Sequence, residues 1–176
     1  MDINKLSAVI RDIQDFPIKG IIFKDITPVL QNIELFNEII AAIADKFKDS
    51  GIDKIAGIES RGFIFGMPLA VKMNIPFIPI RKKGKLPAKT AAISYELEYG
   101  SAEIEIHEDA VKKGEKVLII DDLLATGGTT NAAIKLVEKI GGNITAAAFV
   151  LELSFLKGRD KIENKSVEIF SLLKVS

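Results

Sequence analysis

Residues 117–130, VLIIDDLLATGGTT, combine residue types that together can bind a phosphate ester. An apolar run over residues 117–120 predicts a buried strand, and Asp121 and Asp122 follow it directly. The chain then turns through two glycines into a predicted helix. Glycines let backbone N–H groups approach a ligand closely, and a helix N-terminus attracts an anion. The residues predicted to form this phosphate loop are Ala125, Thr126, Gly127, Gly128 and Thr129.

The aspartate pair indicates which kind of phosphate compound the loop would bind. Two bare carboxylates repel a phosphate unless a divalent metal or the vicinal hydroxyls of a ribose lie between them. The loop is not a nucleotide P-loop, because the GxxxxGK[ST] pattern is absent. Aspartates before a turn can also serve only as a helix cap. Together with the threonines and glycines, however, they favour a ribose 5-phosphate site with Asp121 and Asp122 on the ribose hydroxyls.

Composition argues against several other functions. The 176-residue chain contains no cysteine, which excludes disulfides, thiolate catalysis and cysteine-bound zinc. Lys and Arg together number 24, as do Asp and Glu, so we expect no whole-surface attraction to nucleic acid or to an anionic membrane. There is no apolar signal-peptide core and no run of about 18 apolar residues, so we expect a cytoplasmic protein.

Helix and strand patterns alternate along most of the chain. Apolar residues at helical spacing predict a short helix that includes Ile3 and Ile13 and a longer one over residues 35–47, with a structured loop over residues 16–30 between them. The later strands are predicted at residues 54–58, 76–80, 117–120 and 144–151, and the later helices at residues 63–73 and 129–140. This order predicts an α/β fold, a doubly wound and mainly parallel sheet in a single domain over residues 1–176.

One segment departs from this alternation. Residues 81–89 carry five basic side chains and no acidic one, whereas residues 96–109 carry six acidic side chains and no Lys or Arg. We expect the two arms, joined by residues 90–95, to form a long β-flap over residues 82–109 that projects from the sheet. A solvated hairpin is the alternative, but long excursions from a compact domain are commonly functional.

Several blocks of the chain resemble the type I phosphoribosyltransferases. Residues 117–130 resemble their phosphoribosyl pyrophosphate signature, and the other blocks are similar to the branch of the family that uses adenine. Those blocks are FP (16–17), Gly20, FKDITP (23–28), ESRGF (59–63), RKKGKLP (81–87), LEYG (97–100) and LKGR (156–159). The resemblance covers nearly the whole chain, and it implies the type I fold, a small N-terminal hood over residues 1–32 and a homodimer.

The resemblance implies a reaction as well as a fold. The 5-phosphoribosyl group would pass from phosphoribosyl pyrophosphate to adenine, giving AMP and pyrophosphate, with Mg²⁺ held mainly by the substrate and without direct protein ligands. The transition state should be close to a ribosyl oxocarbenium ion. The enzyme must therefore fix the sugar, neutralise the leaving group and exclude water.

The resemblance also implies roles for individual residues. Catalytic roles would fall to Arg61, Asp121, Asp122 and Glu98, of which Glu98 would handle the purine proton. The pyrophosphate-binding set would be Glu59, Ser60, Arg61, Arg81, Lys82, Lys85 and Tyr99. The base-binding set would be the backbone of Ile22, the ring of Phe23 for stacking, Lys24 and Leu153. Lys83, Lys89 and His107 are interpreted as surface residues.

Alternatives exist for both the residues and the function. Arg61 could form only a salt bridge, Leu153 could be core, and periodicity alone assigns residues 21–23 to the core. Lys24 stands where many relatives carry arginine, and lysine lacks the planar fork of guanidinium. The alternative functions are a phosphoribosyltransferase for another purine or for orotate, and a non-catalytic regulator that senses phosphoribosyl pyrophosphate. Such regulators usually add a DNA-binding domain, for which we expect no room in 176 residues.

Replacing Glu98 by Gln tests its role in proton transfer. An amide cannot accept the purine proton, so we expect turnover to fall about 100-fold or more while donor binding changes less than roughly twofold. Steady-state kinetics and direct titration of the sugar donor measure the two quantities separately. Equal loss of turnover and donor binding would count against a catalytic role for Glu98, and an ordinary surface charge at this position would leave both unchanged.

Overall fold

The computed structural model describes residues 1–96 and 101–176. The helices in these residues are α1 (Ile3–Val9), α2 (Thr27–Leu30), α3 (Ile33–Phe47), α4 (Arg61–Met73) and α5 (Gly128–Lys139), with 3₁₀ turns at Ser154–Leu156 and Gly158–Lys161. The strands are β1 (Arg11–Gln14), β2 (Ile22–Asp25), β3 (Lys54–Ile58), β4 (Phe77–Lys82), β5 (Thr90–Glu96), β6 (Ser101–His107), β7 (Lys116–Leu124), β8 (Asn143–Leu153) and β9 (Glu168–Val175). None of the helices in these two stretches is long and apolar enough to cross a membrane.

Seven of the strands form one sheet in the order β5-β6-β4-β3-β7-β8-β9. Five neighbouring strands run parallel to one another: β4, β3, β7, β8 and β9. Strands β6 and β5 add an antiparallel edge next to β4. Strands β3 and β7 are almost entirely buried because helices cover both faces of the sheet. Helices α3 and α4 pack on one face and α5 on the other. The predicted doubly wound α/β fold is confirmed.

Two predictions for the N-terminal segment are wrong. Helix α1 ends at Val9, so Ile13 lies in β1, where it pairs with Phe23 of β2. The segment predicted as a loop, residues 16–30, contains both β2 and α2. Each of these three short elements has four residues, too few to show a period in the sequence. Strands β1 and β2 form a separate antiparallel sheet.

The charged arms also differ from the prediction. Residues 90–95 were predicted to connect the two arms, but they form most of β5. This strand pairs with β6 along its whole length, from Thr90 opposite His107 to Glu96 opposite Ser101. At its base this pair of strands continues the main sheet, because Arg81 and Lys82 of β4 pair with Glu105 and Ile104 of β6. The opposite charges neutralise each other across the arms, as in the ion pairs Lys83–Glu103 and Lys89–Glu108 at 2.9 and 2.8 Å.

His107 is not simply a surface residue. The Nε2 atom of its ring is buried and has no hydrogen-bond partner in the part of the chain that the structure describes. The ring lies at the end of β6, beside a small pocket of about 210 Å³ that Lys54 and Asp109 also line. The sequence placed His107 among acidic residues, and only the sheet pairing shows that part of its ring is enclosed.

Helix α4 packs against the sheet through glycine. A Cβ atom at Gly66 would lie 2.6 Å from Cε2 of Phe77 and 2.9 Å from Cγ2 of Ile120. The Phe77 ring also fills the space above Gly57 of β3. The helix therefore lies close to the two central strands because these positions have no side chain, and its first residue, Arg61, is held near the end of β7.

Replacing Gly66 by Ala tests this packing. The added methyl group has no room, so we expect a loss of about 1–3 kcal/mol in the free energy of unfolding, although alanine favours helix. Lys72, on the same helix, is exposed. Lys72→Ala should change stability by less than about 0.5 kcal/mol. Chemical denaturation measures both, and a Gly66→Ala protein as stable as the parent would show that the helix can move away at no cost.

Candidate active site

The predicted phosphate loop connects β7 to α5. Strand β7 continues to Leu124, four residues beyond the apolar run, because Leu123 and Leu124 pair with β8. Asp121 and Asp122 therefore lie inside the strand, near its carboxyl end. Gly127 has a φ of +83°, a backbone conformation that favours glycine, and precedes the first residue of α5. The first N–H groups of the helix have no partner within the helix, as a phosphate site requires.

The two aspartates interact with each other and with Arg61. The Nε atom of Arg61 lies 2.6 Å from Oδ2 of Asp122, and the backbone N–H of Asp122 donates to Oδ1 of Asp121 at 2.9 Å. Burial, and then the negative charge of Asp122, raise the pKa of Asp121 well above its ordinary value, while Arg61 opposes this shift. Arg61 reaches Asp122 because α4 begins where β3 ends, next to β7. The salt bridge considered for Arg61 is thus present.

A second set of predicted residues lies at the ends of β3 and β4. Glu59 accepts hydrogen bonds from Nε of Arg81 at 2.9 Å and from the backbone N–H of Lys82 at 3.0 Å. A guanidinium nitrogen of Arg81 also donates to the backbone oxygen of Lys85 at 3.2 Å. Ser60 precedes the first residue of α4. Glu59 thus holds the cationic residues in place, and its own carboxylate is engaged with them.

Glu105, which no pattern in the sequence singles out, also holds this basic segment. Its buried carboxylate accepts from the backbone N–H groups of Lys85 and Leu86, at 3.0 and 2.9 Å, and from the Thr90 hydroxyl at 3.3 Å. Burial alone would raise the pKa of Glu105, but the hydrogen bonds from the Leu86, Gly84 and Lys85 backbone and from Thr90 hold it below its ordinary value. In the sequence it is one of six acidic residues with no distinguishing signal.

Three of the predicted base-binding residues, Ile22, Phe23 and Lys24, lie on the small β1–β2 sheet, whereas Leu153 is the last residue of β8. Ile21 and Ile22 are 39% and 46% exposed, so the assignment of both residues to the core is wrong. The Phe23 ring packs edge-to-face on Phe16, with centroids 5.2 Å apart. Lys24 donates to both carboxylate oxygens of Asp12, at 2.7 and 2.8 Å. Asp12, which pairs with Lys24 across the two strands, was not among the predicted residues.

A cleft of about 720 Å³ brings the base side and the phosphate side together. Its lining comprises Gly20, Ile21, Ile22, Lys24, Ala125, Thr126, Leu153, Phe155, Leu156, Val175 and Ser176. Ile22, Lys24 and Leu153 were predicted for the base, and the two loop residues for the ribose phosphate. The residues at 155, 156, 175 and 176 were not predicted, because only the fold brings the turn after β8 and the end of β9 to this cleft. Among the described lining residues, neither Phe23 nor Arg61 occurs.

Two predicted residues, Glu98 and Tyr99, lie outside the described residues. The nearby Tyr95 does belong to the described part of β5, and its hydroxyl lies 3.3 Å from that of Thr129. Within residues 1–96 and 101–176, no group of three His, Asp or Glu side chains is placed to hold a metal ion.

Comparison with known proteins agrees with this geometry. Residues 25–175 match the family model described as a phosphoribosyl transferase domain. Adenine phosphoribosyltransferase of Halothermothrix orenii is 57% identical over 169 residues, which cover 96% of this chain and 98% of that protein. This chain belongs to the adenine phosphoribosyltransferase family.

Solved structures of the adenine phosphoribosyltransferase family have the same fold. The enzyme of Thermoanaerobacter pseudethanolicus superposes with a TM-score of 0.94 at 49% identity, over 99% of this chain and 100% of that one. The Saccharomyces cerevisiae enzyme has a TM-score of 0.90 at 41% identity, over 97% of both chains. The yeast structure is a complex with adenine and D-2,5-dideoxy-2,5-imino-altritol 1,6-bisphosphate.

Replacing Asp121 by Asn tests the electrostatics of the acid pair. Because the folded-state pKa of Asp121 is raised, the folded protein loses stability as the pH rises from the ordinary aspartate value towards the raised one. Asn imitates the protonated acid and does not titrate. We therefore expect Asp121→Asn to be more stable than the parent at pH 8, by about 0.5–2 kcal/mol, with the advantage shrinking towards pH 4.

The same substitution should lower kcat/KM roughly tenfold to a hundredfold, since a charged hydrogen-bond acceptor is lost. Thermal unfolding and steady-state kinetics at both pH values measure the two effects. Asp53→Asn is the control, because Asp53 accepts from the Lys116 backbone N–H at 2.7 Å away from this site. If the parent is instead more stable than Asp121→Asn at pH 8, the folded protein favours the charged form of Asp121 over the neutral form.

Proposed function

We propose that this chain transfers the 5-phosphoribosyl group from phosphoribosyl pyrophosphate to adenine, giving AMP and pyrophosphate. The observation that carries the proposal is the cleft in which Ile22, Lys24 and Leu153 adjoin Ala125 and Thr126 of the phosphate loop. An apolar cleft with room for a base, next to the predicted phosphate loop, suits a nucleotide product. The Saccharomyces cerevisiae enzyme, a relative of this chain, is known as a complex with adenine and a bisphosphate imino-sugar.

Asp121 and Asp122 would accept hydrogen bonds from the ribose hydroxyls, and the phosphate loop would bind the 5-phosphate. Arg61 keeps Asp122 paired until the substrate arrives. The sugar would then be fixed at both ends, which reduces the entropic part of the barrier. In this arrangement the anomeric carbon lies between the base cleft and the pyrophosphate-binding residues.

The pyrophosphate would bind at the carboxyl ends of β3 and β4. These strands are parallel neighbours, so Ser60 and Arg61 follow one strand end while Arg81 and Lys82 end the other. Positive charge there stabilises the leaving group as the bond between C1 and the pyrophosphate oxygen breaks. Lys85 and Tyr99 would complete this set, and Glu59 would position the cations instead of contacting the anion.

The adenine nitrogen N9 would form the new bond to C1 as pyrophosphate leaves with the bonding electron pair. Ile22 would bind the base edge through its backbone, Phe23 and Leu153 would lie against its faces, and Lys24 beside it. The proton that N9 loses would pass to Glu98. Residues 82–109 would act as the flap that carries Glu98 over the base and excludes water, and residues 1–32 as the hood.

The acid pair suits a nearby divalent cation. Burial, and then the negative charge of the adjacent Asp122, raise the pKa of Asp121, and Arg61 opposes this shift only in part. We propose that Mg²⁺ is held mainly by the oxygens of phosphoribosyl pyrophosphate, with Asp121 and Asp122 on the ribose side of it. When bound, Mg²⁺ neutralises part of the charge on the leaving pyrophosphate.

We also propose a homodimer in the cytoplasm. Helix α4 exposes three apolar side chains, Ile64, Met67 and Val71, on which a second copy could pack. The absence of cysteine from the whole sequence suits a reducing compartment.

A panel of bases tests the assignment of adenine. We expect AMP formation to exceed the reaction with hypoxanthine, guanine, xanthine or orotate by roughly 100-fold or more in kcat/KM. Hypoxanthine, for example, carries a carbonyl where adenine has its exocyclic amine. The backbone oxygen that would accept from this amine is then left without a donor. Product formation with one sugar donor is measured by chromatography.

Two results would contradict the proposal in different ways. Turnover of another base without AMP formation would change the base while retaining the reaction. Binding of phosphoribosyl pyrophosphate without turnover of any base would favour the regulatory alternative. A reaction mixture without the sugar donor is the control.

A further inference from the structure

The phosphate loop rests directly on the backbone of Gly158. A Cβ atom at Gly158 would overlap the carbonyl oxygen of Ala125 and lie 2.9 Å from the backbone nitrogen of Gly127. Conversely, a Cβ atom at Gly127 would overlap the carbonyl oxygen of Gly158. Two backbones thus pack against each other with no side chain between them. A shift of Gly158 must therefore shift the loop.

The next residue, Arg159, is fixed to two strands. Its guanidinium donates from Nε and Nη2 to the two oxygens of Glu152, at 3.0 and 2.6 Å, and from Nη1 to the backbone oxygen of Ile169 at 2.7 Å. The Ser171 hydroxyl donates to the same carboxylate at 2.6 Å. The side chains of Glu152 and Arg159 are 6% and 34% exposed. A two-pronged ion pair of this kind fixes direction as well as distance.

A second contact joins the same segment to helix α5. Asn131 donates to the Glu163 carboxylate at 2.9 Å and accepts from the Glu163 backbone N–H at 3.2 Å. The phosphate loop leads into α5, so it is bounded by the helix on one side and by Gly158 on another. The residues proposed for pyrophosphate, Arg61 and Arg81, belong instead to elements that follow or form β3 and β4.

From these contacts we infer that Glu152 and Arg159 are positioning residues for the 5-phosphate subsite and act on the phosphate loop through Gly158. The inference rests on the proposed assignment of that loop to ribose 5-phosphate. It predicts a selective effect: loss of the ion pair disturbs the phosphate subsite and leaves the pyrophosphate subsite in place.

Two variants separate an effect on loop position from an effect on stability. One is Arg159→Met, and the other combines Arg159→Met with Glu152→Gln. The single variant leaves a buried carboxylate without its partner, whereas the double variant neutralises it and should recover much of the lost thermal stability. We expect both to bind ribose 5-phosphate about tenfold or more weakly, and pyrophosphate within about twofold of the parent, because a displaced loop affects only its own ligand. Isothermal titration of the full chain with each ligand measures the two affinities. The affinity of Arg159→Lys for ribose 5-phosphate should lie between those of the parent and Arg159→Met.

Gly158→Ala provides a route that leaves the ion pair unchanged. Its methyl group would displace the loop directly, so the same selective loss of ribose 5-phosphate binding is expected. Lys54→Met is the matched ion-pair control, since the Lys54–Glu115 pair is 2.9 Å long with side chains 16% and 22% exposed at the start of β3. It should lower stability without changing the binding of either ligand.

The inference is overturned if the double variant recovers ribose 5-phosphate binding together with stability, or if both ligands weaken equally. Thr126→Ala, on the loop itself, separates this failure from failure of the proposed site. If Thr126→Ala weakens ribose 5-phosphate binding while Arg159→Met does not, the positioning role is wrong and the loop assignment stands. If Thr126→Ala has no effect, the loop assignment is wrong, and the inference that depends on it fails too.

Discussion

Two adjacent carboxylates near the end of a buried strand are the constraint around which the proposed site is arranged. Asp121 and Asp122 lie where the sheet leaves little solvent, and burial, followed by the negative charge of Asp122, raises the pKa of Asp121. The ion pair between Arg61 and Asp122 offsets only part of this shift. The ligand proposed for this site brings hydroxyl donors and a cation, and both would relieve the remaining repulsion.

Close backbone approach allows the surrounding segments to reach this pair. A Cβ atom at Gly62 would lie 2.7 Å from the carbonyl oxygen of Ile120, so α4 can begin against β7 only because that side chain is missing. Gly127 and Gly158 likewise let the phosphate loop and the segment that contains Gly158 approach each other closely. Rigid elements thus meet with little freedom to adjust, which is how a catalytic arrangement is held within a fraction of an ångström.

Three other carboxylates arrange the cationic and backbone groups without belonging to the base cleft. Glu59 holds Arg81, Glu105 holds the backbone of residues 85 and 86, and Glu152 holds Arg159. The hydrogen bonds from Arg159 keep the pKa of Glu152 below its ordinary value despite its burial. In each case a carboxylate orients a neighbouring side chain or stretch of backbone. Acidic residues that resemble solvated charge in the sequence thus serve to position the proposed binding residues.

The sequence by itself determined the order of the central strands β3, β4, β7 and β8 and of the helices α4 and α5 between them, the position of the loop proposed to bind phosphate and, through resemblance, the family. Those features depend on local patterns: apolar runs of strand length, helical periodicity and two glycines after an acid pair. Only the tertiary structure decided that β5 and β6 extend the sheet, that Ile21 and Ile22 are exposed in a cleft, and that Glu105, Glu152 and Gly158 support the site. These outcomes depend on contacts between segments far apart in the chain. A side chain's neighbours across strands leave no trace in its local sequence.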